Sequence, residues 1–113
     1  MIRRHDKLAR LAQIADLKAT MAKGDAAQVL AEVKALSERA RNVREDRQTM
    51  AAQTPDPATA HAHAAWLRHC DQTLRTLRAE EARIRARLDA KLDTARYEEG
   101  RRQALEKLKS QAS

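Results

Sequence analysis

His61, His63, His69 and Cys70 cluster just after two prolines and are the residues of this chain whose types best suit metal chemistry. Two ligands on one helix converge on an ion when they stand at i and i+4, as in H-E-x-x-H. No pair among these four has that spacing, and Cys70 falls on an apolar stripe, where a free thiol acts as a small buried hydrophobe. Acid–base chemistry fares no better. Glu80-Glu81 and Glu98-Glu99 are adjacent in sequence, so on a helix their carboxylates diverge by about 100°. Glu81 instead falls on the apolar stripe, where it can snorkel or help fix the register. No glycine-rich phosphate loop, G-x-S-x-G elbow or nucleophile–base set is present. The expectation is a protein without catalytic residues, metal or cofactor.

The elements that carry these residues follow from composition. The 113 residues include two Gly, two Pro, one Trp, one Tyr and no Phe. That leaves little material for the turns of a sheet, whereas the abundant Ala, Leu, Arg, Glu, Lys and Gln favour helix. No run of about 18–20 apolar residues is present to span a bilayer, so membrane insertion is not expected. The opening MIRRHDKLARLAQIADLK has no unbroken apolar core of a secretory signal. A single cysteine fits a reducing compartment, and a cytoplasmic location is expected.

Gln53-Thr54-Pro55-Asp56-Pro57 is the one strong break, because proline lacks an N–H and clashes with the preceding turn. Asp56 before Pro57 reads as an N-cap with proline in the first helical position. The expected architecture is all-α: one domain, 1–113, with helices over 4–52 and 57–109 and a corner at 53–57. Val29, Val33, Leu36, Ala40, Val43 and Met50 recur at alternating steps of three and four, with Arg47 filling one slot. Leu67, Cys70, Leu74, Leu77, Glu81, Ile84 and Leu88 do the same, which is the heptad signature of a coiled coil. Folded at the corner, the two stripes form a long antiparallel two-helix coiled-coil hairpin. Val43 is expected opposite Leu67, Ala40 opposite Cys70, Leu36 opposite Leu74 and Val33 opposite Leu77. Towards the chain ends the stripe is expected to slip on both helices, onto Ile14, Leu17 and Met21 in one and through Leu88, Leu92 and Ala95 in the other. The other reading of Ile14, Leu17 and Met21 is a second face for another protein. So thin a seam is marginal alone, and the hairpin has scope to dimerise into a four-helix bundle.

The formal charge of +7 is uneven. Arg3, Arg4, Lys7 and Arg10 stand against Asp6 near one end, and Arg101, Arg102, Lys107 and Lys109 against Glu106 near the other. A hairpin gathers both groups at one cationic pole, which suits a partner that is acidic there. Lys107 and Lys109 also complement the C-terminal helix dipole, whereas Arg3, Arg4 and Lys7 oppose the dipole at the other end. Trp66 flanks the seam near the corner, either capping the packing or anchoring a partner, and Tyr97 points away from the heptad line. Nucleic acid is a second class of partner for the same pole. It needs only Lys and Arg for phosphate contacts, but the chain offers little aromatic surface for stacking bases.

An all-helical hairpin that opens HDKLARLAQIADLK and closes GRRQALEKLKSQ resembles the FliJ-like family of flagellar and type III export proteins. The resemblance implies an antiparallel coiled coil similar to the rotor stalk of rotary ATPases. It implies a non-enzymatic role in which the rod engages the hexameric export ATPase and also meets export-gate components and substrate chaperones. On that reading Arg3, Arg4, Lys7, Arg10, Arg101 and Arg102 would sit in the opening of the ATPase ring and promote its assembly and turnover. The alternative, from the residues alone, is a general coiled-coil adaptor.

Overall fold

A computed structural model describes residues 3–112 as two helices, α1 (Arg4–Ala51) and α2 (Ala60–Ala112). Met1, Ile2 and Ser113 lie outside the described residues, and no strand occurs among the rest. The helices run antiparallel as a coiled-coil hairpin. Its packing divides into two units: Ala31–Arg85, which holds the corner, and Met1–Leu30 with Ala86–Ser113, which holds both chain ends.

The corner is longer than the prolines alone suggested. α1 closes with the Ala52 N–H donating to the Gln48 carbonyl at 3.1 Å and the Gln53 N–H to the Met50 carbonyl at 3.2 Å. The chain then has no regular structure from Thr54 to Asp56 and turns through Pro57, Ala58 and Thr59. The Thr59 N–H donates to the Asp56 carbonyl at 3.0 Å, and the Thr59 carbonyl accepts the His63 N–H at 2.9 Å. Thr59 is therefore the N-cap of α2. The expected cap at Asp56 with Pro57 as first helical residue is corrected: those two residues form a turn ahead of the helix. His63 Nε2 donates to the Met50 carbonyl at 2.7 Å, occupying one of the acceptors that a helix C-terminus leaves open.

Lengthening the corner shifts the register. In the corner unit the inward residues are Val33, Leu36, Ala40, Cys70, Leu74, Leu77 and Ile84, all buried, as the heptad pattern indicated. Their partners differ. Ser37 Oγ donates to Glu81 Oε1 at 2.5 Å, and Arg47 Nε donates to Asp71 Oδ1 at 2.6 Å. Leu36 is thus level with Glu81 rather than Leu74, and Arg47 is level with Cys70 and Asp71. The helices pair one heptad away from the expected register. The reason is geometric: α2 begins at Ala60, so the mid-point of the hairpin moves along the chain. Sliding one helix by seven residues still sets apolar positions against apolar positions.

In the unit that holds the chain ends, the slip expected on α1 does not occur. Ala12, Ala15, Ala19, Ala22, Ala26 and Val29 are buried, so the alternation of three and four continues unbroken along α1. Ile14, Leu17 and Met21 face outward, with 49%, 64% and 68% of their surfaces exposed. On α2, Leu88 and Leu92 are half-buried and Ala95 is buried, the positions expected to turn inward, with Lys91 half-buried beside them. Alanine wins the inward positions because a small side chain lets two helices approach closely, and periodicity outranks bulk in deciding which face turns in. Lys23 Nζ meets Glu99 Oε2 at 3.0 Å, and Arg102 Nη1 lies 3.9 Å from Asp16 Oδ1, joining the helices at the edge of this seam.

Candidate functional site

The candidate site is the pole formed by the two chain ends. Arg4, His5 and Leu8, in the first turns of α1, line one shallow depression together with Leu108, Gln111 and Ala112 of α2. The first and last helical turns therefore lie side by side. Around them Arg3, Arg4, Lys7, Arg10, Arg101 and Lys107 are exposed, and Lys109 is half-buried. None of these seven makes an ion pair with a described residue. The acidic groups of the same turns are Asp6 in the first turn of α1 and Glu106 of α2. Lys109 stands in the last turn of α2, where a cation complements the helix dipole. Arg3, Arg4 and Lys7 have no such compensation from their own helix.

Arg102 differs from the others. Its Nε and Nη2 donate to Glu99 at 2.9 and 2.7 Å, and Nη1 faces Asp16. This two-point contact raises the guanidinium pKa, first through the hydrogen bond to Glu99. Its charge is committed to the seam, and the sequence count of basic residues overstates the pole by that one group. The Glu99 contact is an i,i+3 pair within α2 that spacing alone could have suggested, whereas the Asp16 contact requires the observed register.

Glu99 is the most strongly perturbed acid of the described residues. Hydrogen bonds from Arg102 and then Lys23 hold its pKa down to about 2. Hydrogen bonding from Ser37 and then Arg85 lowers Glu81, and the hydrogen bond from Arg47 lowers Asp71. Each carboxylate has a folded pKa below its unfolded value, so each contributes stability that is lost on acidification; for Glu99 that contribution is present above about pH 4.5 and lost as pH falls towards about 2. Thermal melts between about pH 6 and pH 2 should show a falling midpoint over that interval. Glu99→Gln should flatten part of the fall, and an equal slope in the variant would contradict the assignment. All three acids are solvent-accessible, so added salt should weaken the effect.

The remaining candidates are described by the unit that holds them. Trp66 belongs to the corner unit. It is 44% exposed, sits with its ring centroid 5.6 Å from that of His69, and lines a depression with Met50, Pro55, Thr59 and His63. Tyr97 is in the unit of the chain ends and is 64% exposed. His63 serves the Met50 carbonyl, His69 stacks near Trp66, His61 is exposed and Cys70 is buried. Among the described residues no group of three or more His, Cys, Asp or Glu could hold a metal ion. Among them, too, no helix is long and apolar enough to cross a membrane.

The arrangement offers a diffuse cationic surface on a rigid helical end. Such a surface attracts acidic partners over about a Debye length of 8–10 Å at moderate salt. No family model, no curated protein and no solved structure matches this chain.

Proposed function

We propose that this protein is a non-enzymatic coiled-coil interaction protein of the cytoplasm that docks its basic terminal pole on a larger protein assembly. In the reading that its opening and closing segments suggest, the assembly is the hexameric ATPase of a type III export apparatus. The hairpin would act there as a stalk that promotes ring assembly and ATP turnover, with gate components and substrate chaperones as further partners. One observation carries the proposal: the first turns of α1 and the last turns of α2 line a single depression, surrounded by cations that pair with no described residue. Two helices ending together present those charges on one rigid element rather than on separate tails.

The test is the ATP turnover of a purified export ATPase with and without the hairpin. The hairpin should raise the rate, and Arg3→Glu with Arg4→Glu should weaken the dose response on the order of tenfold while helicity is unchanged. No stimulation by the unaltered hairpin would overturn the stalk reading. Binding of the same pole to a fluorescent duplex or single strand, collapsing steeply with salt, would favour the nucleic-acid alternative.

A further inference from the structure

In the unit of the chain ends, α1 carries two heptad stripes, not one. The inward stripe is Ala12, Ala15, Ala19, Ala22 and Ala26, all small. The outward stripe is Lys7, Leu11, Ile14, Lys18, Met21 and Asp25, again at alternating steps of four and three, with Leu17 beside it. The bulk lies on the outward side: Leu11, Ile14, Leu17 and Met21 are between 45% and 68% exposed. Asp16 and Lys23, which reach across to Arg102 and Glu99, hold the opposite side of α1. Lys18, Met21 and Asp25 also line one groove with Lys91, Thr94 and Glu98 of α2, so the outward stripe borders α2 and forms part of a two-helix face. A contiguous run of large apolar side chains at heptad spacing marks a helix-packing surface.

We propose that this stripe is a self-association seam, on which α1 of a second copy of the chain packs antiparallel, giving a four-helix bundle in this unit. The charge pattern selects the occupant. Lys7 and Asp25 close the stripe at its two ends with opposite signs, are exposed, and make no ion pair with a described residue. An identical helix laid in reverse over the middle of the stripe sets Lys7 of each copy against Asp25 of the other. The same two-fold sets Leu11 against Met21, Ile14 against the stem of Lys18, and Leu17 beside its own counterpart. Both ends are satisfied in one register only, and a stripe that complements itself on reversal is what an isologous dimer needs. Lys18 keeps its ammonium at the rim, in water. The seam does not depend on the role proposed for the pole.

Sedimentation equilibrium of the full chain over micromolar to submillimolar concentration tests it, with circular dichroism to follow helicity. The unaltered chain should show the mass of two chains at the upper concentrations. Ile14→Glu combined with Met21→Glu should give a single-chain mass with helicity retained, since both side chains are exposed in the lone hairpin. Lys7→Asp and Asp25→Lys should each weaken the dimer several-fold by placing like charges opposite one another, and the double variant should recover it. A single-chain mass for the unaltered protein throughout would overturn the proposal and assign the stripe to a different helical protein. A dimer untouched by the stripe variants, or a double swap without recovery, would overturn it as well.

Discussion

Leu77→Ala should lower the unfolding free energy of the hairpin by about 2–5 kcal/mol, far more than truncation of any exposed side chain. Leu77 is 3% exposed and lies in the corner unit, where the buried large apolar side chains are few. The register fixed by Ser37–Glu81 and Arg47–Asp71 brings it level with Ala40, which is too small to fill the space left behind. A two-stranded seam also has no neighbouring core from which side chains can move in. The lost transfer free energy therefore adds to the cost of an unfilled gap. Against a total stability of about 5–15 kcal/mol for an ordinary domain, such a loss is a large fraction. Urea titration followed by helical ellipticity measures it directly. Leu17→Ala is the control, since that side chain is 64% exposed and its truncation should change the midpoint little. Equal effects for the two substitutions would contradict the inward assignment of Leu77.

Ala19→Leu and Ile14→Ala form the second experiment, and its outcome runs against the usual ranking of residues. Ala19 is 1% exposed and sits where the helices approach over a run of alanines. Adding an isobutyl group there forces the backbones apart or the leucine off its rotamer, at a cost of about 1–3 kcal/mol. Ile14 is 49% exposed, so in the separate hairpin its loss should lie within about 0.5 kcal/mol. The comparison is made at concentrations low enough for single chains, again by urea titration. Had the stripe slipped onto Ile14, Leu17 and Met21, the order would reverse: Ile14→Ala would be costly and Ala19→Leu harmless.

Those two positions also show what the amino-acid pattern could and could not disclose. The two helices, the proline corner and the inward placing of Val33, Leu36, Ala40, Cys70, Leu74, Leu77 and Ile84 were readable, because alternation of three and four is a property of one helix at a time. Which residue faces which was not. Moving one helix by a heptad leaves every apolar position facing another, so the stripe alone is degenerate. The choice is made by the corner, where Thr59 rather than Asp56 caps α2, and by polar neighbours such as Ser37 with Glu81. The alanine seam was missed for a different reason. Alanine is weakly apolar, so Ile14, Leu17 and Met21 drew the line of contact towards themselves although they break its period. At the pole the basic residues were visible by type and position. The diversion of Arg102 was only half legible: its i,i+3 pair with Glu99 lies within α2, but its approach to Asp16 depends on the same register.

Burial of the only thiol in the seam has a practical corollary. Cys70 is 3% exposed, between the turns that carry Leu67 and Leu74. An alkylating reagent reaches its sulfur only when the two helices part, because the side chain is buried in the seam. The rate of labelling consequently clocks the breathing of the corner unit, and the protein carries its own reporter without any engineered probe.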